Sequence, residues 1–188
     1  MMAIIMLLLC IPEVLAQLPG DDGPCGSAAE CHVIQTLFFE ACGPNNNGTI
    51  QRRVQKTLSG YVAQTTSKNA TVGMLLQEHV ESMRKRVSEA RPMDTWDPLY
   101  ASIFNHTAEL TIQVTNLTNG DGKTSGVQVV ESGATSCAVA IAHEHSHVVD
   151  GFIARGMREM MDGHDAPKAC PFARLSAGLR MPTGHVKL

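Results

Sequence analysis

The sequence has no surplus of positive charge: 15 Lys and Arg stand against 18 Asp and Glu, a formal net charge of -3 over 188 residues. Nucleic-acid binders depend on clustered cations along the phosphate backbone, so this composition argues against that class of partner. No C-x-x-C-H occurs, because Ala28 stands three positions before Cys31, which disfavours covalent attachment of a c-type haem. Long apolar runs are also missing. The most apolar stretch, residues 3–11, is too short to span a bilayer; Val14-Leu15-Ala16 then precedes Gln17 as a small-residue cleavage site. Residues 1–16 are expected to be a secretory signal although no Lys or Arg precedes the run. The mature chain is then expected to be secreted or periplasmic, with no integral membrane segment left after cleavage.

What remains, 44% hydrophobic and 18% charged, suits one globular domain with a real core. Beyond residue 16 lie Cys25, Cys31, Cys42, Cys137 and Cys170. An odd number cannot pair completely, so one or two disulfides tying the chain ends to the core are expected, with one thiol over. Asn47, Asn69, Asn105 and Asn116 each open an N-x-S/T sequon, as in a secretory-pathway glycoprotein.

Residues 17–29 form a Gly-, Pro- and Asp-rich loop, and helical spacing begins near Glu30. Ile50, Val54 and Leu58 continue it in a second short helix, residues 61–66 suit a strand, and an amphipathic helix runs from about 71 to 90, stopped by Arg91-Pro92. Asp97-Pro98 starts another helix to about Leu117, residues 127–132 suit a second strand, and the longest helical pattern covers 136–161.

The two halves repeat. GYVAQTTSKNATVGMLLQEHVESM and GVQVVESGATSCAVAIAHEHSHVV align without a gap at an offset of sixty-six, and upstream at an offset of sixty, where Ile50 and Val54 match Leu110 and Val114. The copies cover about 30–92 and 96–164 of one domain spanning 30–164, and 165–188 form a peripheral tail. The expected fold is helix-dominated α+β: two helix-strand-helix repeats packed about a pseudo-twofold axis, their strands in a small two-stranded sheet.

His143, Glu144 and His147 spell H-E-x-x-H, in which two imidazoles one helical turn apart bind zinc and the glutamate activates water. Yet the downstream metzincin pattern is absent, and the alignment matches His143 and His147 with Gln77 and Glu81. His143 and His147 also share a helix face with Asp150 and Arg158, which reads as the solvent side. His145 instead falls on the apolar stripe with Ile141, Val148 and Phe152; His79 lies with Leu76, Val80 and Met83, and His106 with Leu99 and Ile103. Three inward imidazoles each need partners, which points to a shared site of His79, His106 and His145, with Met83 as a soft fourth ligand.

LLQEHVESM, WDPLYASIFNH and GFIARGMREMM are similar to segments of an uncharacterised family of small exported, mostly bacterial domains. The likeness spans roughly residues 60–164 and includes His79, His106 and His145. No activity is established for that family, so the resemblance implies the domain limits and no reaction.

The expected function is a secreted, non-catalytic domain binding a transition metal (zinc, copper or iron), or haem, through these histidines. The alternatives are a zinc-dependent hydrolase using Glu144 with His143 and His147, and a structural or interaction domain without metal.

Overall fold

A computed structural model of the chain describes residues 28–42, 48–94 and 96–170. The expected signal, most of the 17–29 loop with Cys25, the Asn47 sequon and the tail beyond 170 lie outside the described residues. The described chain runs α1 (Ala28–Cys42), β1 (Ile50–Thr57), β2 (Gly60–Ser67), α2 (Ala70–Ser88), α3 (Pro98–Asn105), β3 (Leu110–Thr118), β4 (Thr124–Gly133), α4 (Ser136–Arg155) and α5 (Met157–Asp162).

The strands form one antiparallel sheet in the order β1-β2-β4-β3. The expected two-stranded sheet is therefore wrong, and each copy is helix-strand-strand-helix. Ile50, Val54 and Leu58 lie four apart, which suits a helix face and equally suits a strand alternating through Arg52 and Lys56. The same ambiguity conceals β3. Leu110, Ile112 and Val114 alternate, and Thr111, Thr115 and Thr118 add β-branched residues that fit a pleated surface. The helix expected to reach Leu117 stops at Asn105, with His106 as its C-cap.

The strand register carries the repeat. Ala63 of β2 lies opposite Val129 of β4, its own counterpart sixty-six residues on. A twofold axis normal to the sheet passes through that pair. The outer strands obey it as well, since Ile50 pairs with Ser67 and Leu110 with Gly133, counterparts at offsets of sixty and sixty-six. Asn69 and Thr135, again sixty-six apart, cap α2 and α4, accepting side-chain hydrogen bonds from the Thr71 and Ala138 amides.

At Gly60 and Gly126, counterparts in the repeat, β2 and β4 approach so closely that a Cβ would sit 2.0 Å from the carbonyl oxygen of Glu131 or Thr65 respectively. Both have positive φ, 155° and 146°, which disfavours any side chain. Gly60→Ala and Gly126→Ala should each destabilise the fold by about 1–3 kcal/mol, read as a lower denaturation midpoint at unchanged slope. Wild-type midpoints in both would contradict the close approach.

Tyr61 and Ala63 of β2, and Val127 and Glu131 of β4, turn to the face covered by helices and are buried. The opposite face carries Gln51, Arg53, Gln55, Gln64 and Gln113, all exposed, and Gln64 donates to Gln128 across the strands. One face is core and the other is wet. Helix α2 packs across β4, β2 and β3, α4 across β4, β2 and β1, α1 on both, and α3 on α4. A disulfide joins Cys137 at the start of α4 to Cys170, holding the chain after α5 against Leu99 and Ile103 in the core. Asn69, Asn105 and Asn116 are exposed. Among the described residues, no helix is long and apolar enough to cross a membrane.

Candidate functional site: a cavity on the pseudo-twofold axis

Between the covered sheet face and the helices lies a cavity of about 230 Å³. Its floor includes Ala63 and Val129, the pair on the axis, and its walls include the counterparts His79 from α2 and His145 from α4. Met83, one turn beyond His79, lines it too, as do Ile34, Leu37 and Phe38 of α1. His106 does not. It caps α3 elsewhere, with Nδ1 3.0 Å from Glu109 Oε1 and Nε2 3.6 Å from Cys137 Sγ. Three of the four expected ligands therefore share one cavity, and the fourth sits beside the disulfide.

The copies diverge chemically around the two histidines. In the second, His145 Nδ1 donates to Glu131 Oε2 at 2.9 Å, and the Tyr61 hydroxyl donates to the same oxygen at 2.8 Å. The Arg52 guanidinium lies over the Tyr61 ring, 5.7 Å from its centroid, and binds the Ser146 carbonyl and the Asp150 carboxylate. An ordered chain thus runs from Asp150 through Arg52 and Tyr61 to Glu131 and His145. In the first copy Thr65 replaces Glu131, so His79 has no carboxylate at the equivalent place.

Burial pushes His79 down from 6.5 to about 4; nearby Glu30 opposes the shift and His145 adds to it. A half-buried imidazole that stays neutral while its unfolded counterpart titrates makes the unfolded chain bind more protons between those values. Stability should therefore fall as pH drops from 6.5 to about 4, by on the order of 3 kcal/mol from this residue. The His79→Leu variant should lack that part of the acid sensitivity in denaturation midpoints measured across the window. An identical profile would disprove the assignment.

His164 behaves in the opposite sense. Its Nδ1 lies 2.7 Å from Asp97 Oδ2 and its Nε2 3.2 Å from Glu159 Oε1. The bond to Asp97 holds it above the usual histidine value although burial opposes this. Its stabilising effect is present below the unfolded value and lost as pH rises through the raised one. Tyr100 sits edge-on to both His145 and His164, with centroids 6.3 and 6.5 Å away.

The H-E-x-x-H residues are used in packing. His143 Nε2 donates to the carbonyls of Gly60, at 2.8 Å, and Thr57, at 3.2 Å. His147 Nε2 accepts from the Lys56 ammonium at 2.7 Å, and Glu144 is exposed. His147, Asp150 and Arg158 are exposed, as the solvent-side reading of this face expects, while half-buried His143 docks α4 on the β1–β2 hairpin; a cation occupies the His147 lone pair a metal would need. Among the described residues, the His, Cys, Asp or Glu group whose ligand atoms lie within 4.8 Å of one another is His106, Cys137 and Cys170. Its two sulfurs are bonded to each other, and a disulfide offers no thiolate.

No known protein family, curated protein or solved structure matches this chain.

Sequence periodicity left out Glu131, Tyr61, Trp96 and Asp94. Glu131 had a signal: with period two it shares a strand face with Val127 and Val129, and an acidic residue in such a register is buried. Asp94 and Trp96 lie in the α2–α3 connection, where no periodicity points anywhere.

Proposed function

We propose that this chain is a non-catalytic binding domain that holds a small, mostly apolar molecule between His79 and His145. The observation that carries this is the cavity itself, apolar over most of its wall yet lined by His79, His145, His164 and Glu131, whose Oε1 has no hydrogen-bond partner. Protein interiors are packed close to crystal density, and voids above the size of a water molecule are few. A cavity of this volume favours a ligand of modest size. It lies below the roughly 300–1,000 Å³ typical of drug-sized ligands, which argues against a haem. The Cys137–Cys170 disulfide supports a secreted or periplasmic location.

A transition metal, zinc, copper or iron, is the second reading. It is favoured by one arrangement: Glu131 on Nδ1 of His145 resembles the outer carboxylate that orients metal-binding histidines. His79 and the Met83 thioether would complete a soft site. A single ion would leave most of the volume empty, which places this reading second.

Thermal unfolding of the full chain with toluene, cyclohexanol or stoichiometric Cu⁺ or Zn²⁺ separates the readings. The organic probes should raise the midpoint saturably, and Ala63→Leu, which fills the cavity floor, should abolish the rise. Stabilisation by metal alone, lost in His79→Ala, would instead establish the metal site. No response to any of them would leave a structural domain.

A further inference from the structure

Six of the eight aromatic residues, Phe38, Phe104, Phe152, Tyr61, Tyr100 and Trp96, line this one cavity. In a chain with so few aromatics that is a strong concentration. Aromatic faces present negative charge and attract cations that have lost their water.

The polar groups left over have the matching sign. Among the described residues, the buried side-chain nitrogen or oxygen atoms without a hydrogen-bond partner are Asp94 Oδ1, Glu131 Oε1 and Glu159 Oε2. All three are carboxylate oxygens. Glu159 Oε2 is ion-paired with Arg155, whereas Asp94 and Glu131 line the cavity. The cations there are committed elsewhere: Arg52 pairs with Asp150, Arg84 with Glu81, and His164 lies between Asp97 and Glu159. Glu131 is 1% exposed, and an acceptor that deep without a donor is costly unless a ligand supplies one.

Resting on the cavity-binding reading above, we infer that the ligand is a small organic ammonium, an amine with an apolar or aromatic body, whose N–H groups bind Glu131 Oε1. The aromatic walls and the aliphatic side chains of α1 enclose the body. Asp94, beside Trp96 in the same lining, adds negative potential. A neutral alcohol of the same shape would satisfy the oxygen but not the charge, and a carboxylic acid would oppose it.

Trp96 is the only tryptophan in the chain, and its place in the lining makes intrinsic fluorescence the readout. The full chain, disulfide intact, is titrated at pH 7.5 with 2-phenylethylamine, 2-phenylethanol and phenylacetate, and the titrations are repeated on Glu131→Gln and Asp94→Asn. The amine should bind about tenfold or more tighter than the alcohol, and the acid should bind weakest. Glu131→Gln should cancel the amine's advantage while leaving affinity for the alcohol, which also shows that the variant is folded. Asp94→Asn should reduce the advantage by less. Equal affinity for amine and alcohol, or an advantage that survives in Glu131→Gln, overturns the ammonium inference and leaves the cavity-binding reading standing. Binding of none of the three overturns both.

Discussion

Replacing Glu30 by alanine is expected to remove about 3–5 kcal/mol of unfolding free energy, the cost of breaking a buried ion pair from one side. Arg86 of α2 has a side chain only 1% exposed, and its Nε and Nη2 reach Glu30 Oε1 and Oε2 at 3.1 and 2.8 Å. The Ser82 hydroxyl donates to the same carboxylate. A two-pronged guanidinium–carboxylate pair at such depth differs from a surface ion pair, whose removal changes stability by about 0–1 kcal/mol. Since small domains are stable by about 5–15 kcal/mol in total, the variant should unfold at a much lower urea concentration. The double variant Glu30→Ala/Arg86→Met, which removes the buried charge as well, should recover most of the loss. A single-variant loss under about 1 kcal/mol would show that water or other groups hold the Arg86 charge in place of Glu30. The consequence extends to the cavity. Glu30 fixes the α1 helix that brings Ile34, Leu37 and Phe38 to its wall, so the single variant should bind any cavity ligand more weakly even where it remains folded.

The parts of this architecture that could be read from the sequence are those where one periodicity dominates. Helices α2 and α4 show an apolar stripe, and β2 and β4 stand at the same offset from them in both copies, so the sixty-six-residue repeat contains the register of the two central strands. The outer strands are hidden because apolar residues four apart satisfy periods of two and 3.6 alike. That one ambiguity accounts for the missing half of the sheet and for the misplacement of His106. Placed in a helix running to residue 117, His106 faces the core with its neighbours. With the helix ending at Asn105, it becomes a cap residue beside Glu109 and the disulfide.

Duplication followed by divergence also explains why the cavity is lopsided. The axis through Ala63 and Val129 brings His79 and His145 to one space by symmetry, but the residues that tune them are not symmetric. Glu131, Tyr61 and Arg52 correspond to Thr65, Val127 and Ile112, so the linked polar chain on one side of the axis has no counterpart on the other. A single ligand with one polar end matches such a surface better than a symmetric one. The H-E-x-x-H residues belong to this divergence, since His143 and His147 secure α4 to the hairpin in one copy only.

Removing the Cys137–Cys170 disulfide should have an effect nearly as large as that of Glu30→Ala. The bridge spans a sequence separation of 33, and constraining a loop of that length in the unfolded chain is worth about 3–4 kcal/mol in the chain-entropy account. For a chain of this size the double variant Cys137→Ala/Cys170→Ala should melt roughly 10 °C lower, and a thiol reductant, which also breaks the disulfide of Cys31, should lower the wild-type midpoint at least as far. Alanine is the right replacement because both cysteines are buried, where serine would add an unsatisfied hydroxyl. A second set of bonds holds the same segment: the Leu99 amide donates to the His164 carbonyl, and the His164 amide and ring bind Asp97. If those bonds close the loop on their own, the loss would fall below about 1 kcal/mol. The pH dependence then discriminates between the two anchors. Without the disulfide, the segment depends on the His164–Asp97 pair, whose stabilising effect fades as pH rises through the raised His164 value. The variant should therefore lose stability toward alkaline pH more steeply than the wild type, and Met160 and His164, which line the cavity, should loosen with it.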